Sequence, residues 1–90
     1  MGTAVAAARM SRIVEIPVAG GPYALTAGPD GAMWVTLVHS GEVARVTGDG
    51  NLDVYPVAPQ SKPSIIVAGP DGALWFTRSG DDRIGRISVD

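Results

Sequence analysis

Few side chains in this 90-residue chain have types and spacing that could do chemistry. His39 is the single histidine, and imidazole is the ordinary side chain that exchanges a proton near neutral pH. One imidazole without a nucleophile or an orienting carboxylate is no catalytic constellation, and an exposed loop histidine accounts for it equally. Asp81 and Asp82 are adjacent carboxylates that could touch a cation. Ligand number decides such a site, and solvated turn residues ahead of a strand explain the pair with less. There is no cysteine, so a disulfide framework and thiolate metal sites are excluded. Every glycine stands in a strand–turn–strand context rather than ahead of a helix, which excludes a phosphate-cradling loop.

Composition narrows the partners. Seven basic and nine acidic residues leave a net charge of −2, with no basic footprint for nucleic acid and no polybasic patch for an anionic membrane. Hydrophobic residues make up 46% and charged residues 18%, a balance that folds rather than stays disordered. The apolar run Ala4 to Ala8 is shorter than a signal-peptide core and far shorter than a membrane span. Residues 1–10 are therefore expected to be a disordered or helical lead-in without function, Met10 offers a second start, and the expected location is cytoplasmic.

The elements that must position any site are set by an internal repeat. Gly28-Pro29-Asp30-Gly31-Ala32-Met33-Trp34-Val35-Thr36 lies over Gly69-Pro70-Asp71-Gly72-Ala73-Leu74-Trp75-Phe76-Thr77 at a shift of 41, with seven of nine residues identical. The shift also carries Pro22 to Pro63, Val43 to Ile84, Arg45 to Arg86, Val46 to Ile87 and Asp49 to Asp90. A weaker echo at a shift of 39 links Ile13-Val14-Glu15-Ile16-Pro17-Val18 to Leu52-Asp53-Val54-Tyr55-Pro56-Val57. A fixed period of this length marks a repeat architecture.

Each unit reads as four short strands, Tyr23 to Ala27, Ala32 to Thr36, Glu42 to Thr47 and Leu52 to Val57. Gly-Pro-Asp-Gly joins the first two, with proline presetting φ and Asp-Gly supplying the positive-φ position. Trp34 points one way while Met33 and Val35 point the other, because strand side chains alternate. Both faces are apolar, so both must be covered. Small antiparallel sheets covered on both faces and repeated about every 41 residues predict an all-β fold of β-propeller blades, here an incomplete propeller; a two-layer sandwich is the competing architecture. The expected organisation is lead-in 1–10, outer strand and linker 11–21, first blade 22–57, and 58–90 as linker plus a second, three-stranded partial blade. An opening outer strand without a unit of its own fits a ring closed by that strand. Asp30 and Asp71 recur as turn residues, Trp34 and Trp75 as aromatics buried between blades, and Arg45 and Arg86 as surface or inter-strand pairs. Exposed blade faces predict self-association.

The wording Gly-Pro-Asp-Gly-Ala-Leu-Trp-Phe-Thr followed by Asp82-Arg83-Ile84-Gly85-Arg86-Ile87, with Gly21-Pro22-Tyr23-Ala24-Leu25-Thr26 opening the first unit, resembles the repeat of the streptogramin B lyases, the virginiamycin B lyase family. The resemblance covers residues 13–90 and implies a seven-bladed propeller of which this chain matches two blades. It implies a lyase, the basis of antibiotic resistance, that linearises cyclic depsipeptides by eliminating across the lactone rather than hydrolysing it. It also implies magnesium as the Lewis acid, with no ligands identifiable in this chain. The family's base is a histidine directly after a proline at the start of an inner strand, and the matching positions here hold Tyr23 and Ser64. Neither replaces an imidazole, since a phenol titrates near 10 and a serine hydroxyl is weaker still. No catalytic residue carries over, and inactivity of the fragment alone is expected. Tyr23, Ser64 and His39, whose loop lies on the family's ligand side, are the substrate-binding candidates. The alternative is a non-catalytic binding or scaffold module, or a short unit that assembles into an oligomeric ring.

Overall fold

The computed structural model describes residues 12–89, and the lead-in expected over residues 1–10 lies outside them. Seven strands follow one another: β1 (Pro22–Ala27), β2 (Met33–Leu37), β3 (Glu42–Val46), β4 (Leu52–Pro56), β5 (Pro63–Ala68), β6 (Ala73–Arg78) and β7 (Arg83–Ser88). They form a four-stranded sheet in the order β1-β2-β3-β4 and a three-stranded sheet β5-β6-β7, every pairing antiparallel.

The repeated turn is built around its aspartate. Asp30 Oδ1 accepts the Ala32 amide at 3.2 Å and the Trp34 indole N–H at 3.1 Å, while Oδ2 accepts Arg45 Nε at 2.7 Å. Asp71 repeats the set with Ala73, Trp75 and Arg86 at 3.2, 2.9 and 2.9 Å. One carboxylate thus fixes the turn, aims the tryptophan of the second strand and holds the arginine of the third. Burial pushes the Asp30 carboxyl up, but hydrogen bonds from Arg45, Trp34 and the Ala32 amide outweigh it and bring its pKa to about 2. The indole of Trp75 and the guanidinium of Arg86 likewise bring Asp71 to about 2.

A carboxyl depressed in the folded state binds protons more readily once unfolded, so its stabilisation is full above the ordinary value of 3.8 and fades as pH falls toward 2. The denaturation midpoint is expected to stay flat from neutral pH down to about 5 and then decline. Asp30→Asn lowers the midpoint at pH 6 and flattens the acid decline. Urea titrations at pH 6 and pH 3 check this, and an unchanged slope in the variant would count against the carboxylate hub.

Strand alternation places the core. Trp34 and Val43 of the first sheet meet Ile66, Leu74 and Phe76 of the second, and Thr36 Oγ1 donates to the Ser64 carbonyl across the join at 2.6 Å. Val35, Leu37 and Ala44 on the opposite face form a smaller cluster with Val18, Val46 and Leu52. The first sheet is therefore covered fully on the face toward the second sheet and only in part on the other, where Leu25 and Met33 stay exposed.

Residues 13–18 join neither of the two sheets; the blade into which that outer strand is expected to pair is not among the described residues. One expectation differs from what the structure places. Trp75 is 37% exposed against 2% for Trp34, because among the described residues no sheet lies against the far face of β5-β6-β7.

Candidate functional site

The starts of β1 and β5 and the turns after β2 and β6 gather at one end of the two sheets. Proline begins both inner strands, where its missing N–H leaves no gap in the ladder. Immediately after it the register slips, between Pro22 and Leu25 in β1 and between Pro63 and Ile66 in β5. The facing threonine repairs each slip: Thr36 Oγ1 accepts the Ala24 amide at 3.1 Å and Thr77 Oγ1 accepts the Ile65 amide at 3.0 Å. A bulge of this kind re-aims the side chain it carries, and the residue so presented is Tyr23 in the first sheet and Ser64 in the second.

Tyr23 is 63% exposed. Ser64 is half-buried; its Oγ donates to the Lys62 carbonyl at 2.9 Å and shares a hydrogen bond with Ser79 Oγ at 3.1 Å. His39 lies exposed in the turn after β2, its amide donating to the Gly20 carbonyl at 2.9 Å and its ring lying over Gly21, where a Cβ would collide with it. The second sheet keeps that backbone bond with Gly80, whose amide donates to the Ser61 carbonyl at 2.9 Å. The turn therefore does not require the imidazole. The three candidates share one end of the fold, but among the described residues no hydrogen bond joins their side chains.

Sequence reasoning missed two neighbours, Lys62 and Ser79. Lys62 holds a positive φ of 46° at the position that Gly21 takes in the first unit. A non-glycine residue there is uncommon, and that mismatch within the repeat is the signal that could have found it. Phenol, hydroxyls, imidazole and ammonium together can hydrogen-bond a ligand rich in carbonyls. Among the described residues no base stands beside a nucleophile.

The adjacent acids do not make a cation site. Asp81 is ion-paired with Arg78 and lies 3.5 Å from Arg83 Nη1, while Asp82 points into solvent. Among the described residues no three His, Asp or Glu side chains come together. The donors present do not fit the magnesium ion that the sequence resemblance implies.

A family model described as the virginiamycin B lyase family matches residues 11–90. A virginiamycin B lyase of Mycolicibacterium smegmatis is 73% identical over 56 residues, 62% of this chain and 20% of that protein. One from Streptomyces coelicolor is 63% identical over 38 residues, 41% of this chain and 13% of that protein. A solved streptogramin B lyase superposes with a TM-score of 0.80 at 35% identity, covering 84% of this chain and 27% of that one. A catalytically inactive virginiamycin B lyase from Staphylococcus aureus, solved with quinupristin, gives 0.77 at 38% identity, covering 82% and 26%. The chain spans about a fifth of the length of the mycobacterial relatives it matches. Its two sheets are blades of a β-propeller, and the described residues form an incomplete one.

Proposed function

The chain belongs to the virginiamycin B lyase family, and on that premise we propose that it supplies two blades of a propeller that linearises cyclic streptogramin B depsipeptides by elimination. The observation that carries this reading is the family match over residues 11–90, with the bulged Pro-Tyr and Pro-Ser strand starts at one end of the blades. Elimination needs a base to take the proton α to a carbonyl as the ester carboxylate leaves. Tyr23 and Ser64 hold the positions where the sequence resemblance expects that base, and neither is a histidine. The 90-residue chain therefore contributes a binding surface of Tyr23, Ser64 and His39, and lacks proton abstraction of its own.

Quinupristin is the probe. Incubated with the purified chain, it is expected to remain cyclic by liquid chromatography with mass detection. Elimination would yield a linear product of unchanged mass, and hydrolysis one heavier by a water. Binding is expected to shift the amide resonances of Tyr23, His39 and Ser64, and Tyr23→Ala weakens it about tenfold, roughly 1.4 kcal/mol. Linear product of unchanged mass from the chain alone would refute the binding-only role. Absence of any shift at the three residues would sink the substrate assignment.

A second reading, a non-catalytic scaffold module, is favoured by the same two strand starts, since neither carries a histidine. Quinupristin separates the two: a scaffold leaves these resonances unmoved while still associating with other blades.

A further inference from the structure

Between the two strand starts that present Tyr23 and Ser64 lies one buried hydroxyl. Thr36 of β2 is fully buried, so its polar atom has to find partners within the protein. Its Oγ1 accepts the Ala24 amide at 3.1 Å. A hydroxyl has one proton to give, and two carbonyls are in reach, Ser64 at 2.6 Å and Ala24 at 3.3 Å. The shorter bond, which crosses from one sheet to the other, takes it.

The inner strands β1 and β5 lie side by side, and the Ser64–Ile65 peptide continues the line. Its carbonyl accepts Thr36 Oγ1, and its amide donates to Thr77 Oγ1 at 3.0 Å. The run is Ala24 N–H to the Thr36 hydroxyl to the Ser64 carbonyl, then Ile65 N–H to the Thr77 hydroxyl, every bond pointing the same way. Bonds aligned in this manner polarise and strengthen one another. The slipped registers give Tyr23, Ala24, Ser64 and Ile65 no partner residue in the strand beside them, so the two hydroxyls stand in for the missing ladder. Ala24 follows Tyr23, and the peptide to Ile65 follows Ser64. The run therefore fastens the backbone that carries each presented side chain.

We propose that Thr36 is a positioning residue for the candidate surface: its hydroxyl locks the Tyr23 start of one blade to the Ser64 start of the next, so that both side chains face a ligand in one fixed relation. This rests on the reading that the surface holds a streptogramin B depsipeptide. A cyclic ligand gains affinity from contacts that are already in place, because little ordering is left to do on binding. Thr77 repairs the bulge of its own sheet; the bond between the two described sheets belongs to Thr36. Substitution at the two threonines therefore separates bulge repair from coupling between blades.

Thr36→Val keeps the shape of the side chain and removes the hydroxyl. It is expected to speed hydrogen exchange of the Ala24 amide at least about tenfold, to shift the Tyr23 and Ser64 resonances together, and to weaken quinupristin binding about tenfold. Thr36→Ser returns the hydroxyl and restores all three, which a loss of packing alone would not do. Thr77→Val breaks the second bulge by itself, so the Ser64 resonance moves and that of Tyr23 stays. The unmodified chain supplies a reading that needs no variant: the Thr36 hydroxyl proton gives its own slowly exchanging resonance, with a nuclear Overhauser contact to the Ala24 amide proton. Unchanged Ala24 exchange or undiminished binding in Thr36→Val overturns the proposal. So does a serine variant that behaves like the valine one, a Tyr23 shift of equal size in Thr77→Val, or the lack of a slow hydroxyl proton. If the exchange and resonance pattern holds but quinupristin does not bind the unmodified chain, the substrate reading has failed and the positioning by Thr36 stands.

Discussion

Replacing Trp34 by alanine is expected to remove about 3–5 kcal/mol of stability, whereas the same change at Trp75 costs about 1–2 kcal/mol. The two tryptophans follow identical turns and hydrogen-bond identical aspartates, so turn chemistry cancels from the comparison. What differs is burial. Trp34 is 2% exposed, packed among Val43, Ile66, Leu74 and Phe76 and stacked on Tyr55. Trp75 is 37% exposed, with the Arg86 guanidinium 5.7 Å from its ring centre. A cavity under Trp34 would open the single join between the sheets, and neither sheet alone holds a core of useful size. Against a total stability on the order of 5–10 kcal/mol for a chain this long, Trp34→Ala lowers the denaturation midpoint by about 30% or more. Urea unfolding at low micromolar protein measures both variants with association suppressed by mass action. Equal losses at the two positions would mean that the join does not carry the stability.

The same pair marks what a sequence can and cannot convey. The strands were legible to within about a residue because the 41-residue repeat brackets each with the same turn. Pro22 joins β1 although the reading began that strand at Tyr23, since an edge position asks no N–H of it. Ala32 falls outside β2 because its amide turns to Asp30 and its carbonyl to the Gly28 amide. Burial of Trp75 was not legible: residue type and spacing match Trp34, and exposure depends on what lies opposite. What pairs with 13–18 is not legible for the same reason. The aspartate hub was half-legible, since Asp, Trp and Arg recur together, yet each suggested its own local role. At the candidate site the prolines located Tyr23 and Ser64. The bulges that present them depend on Thr36 and Thr77 from neighbouring strands, and no local pattern announces that pairing.

Gly41→Val is expected to cost about 3 kcal/mol or more, at least twice the cost of Asp82→Val, although the repeat makes the two positions equivalent. Both residues have positive φ, 72° at Gly41 and 58° at Asp82. A β-branched residue in that region costs about 1–3 kcal/mol from backbone strain alone, and Asp82→Val, out in solvent, measures that part by itself. At Gly41 a Cβ would fall on the Ala58 carbonyl, which is backbone and cannot swing aside as a flexible side chain would. The Gly41 carbonyl also accepts the Val57 and Ala58 amides at 2.9 and 3.2 Å, so displacing one strand displaces the other. That contact anchors the start of the linker running from β4 to β5, whose far end leads through Lys62 to Ser64 at the start of β5. The strain therefore reaches the candidate site: Gly41→Val is expected to move the Ser64 resonance and abolish quinupristin binding, while Asp82→Val leaves both unchanged. Urea unfolding and amide spectra of the two variants provide the comparison. If they lose equal stability and bind alike, the linker contact has no part in holding the inner strand starts in place.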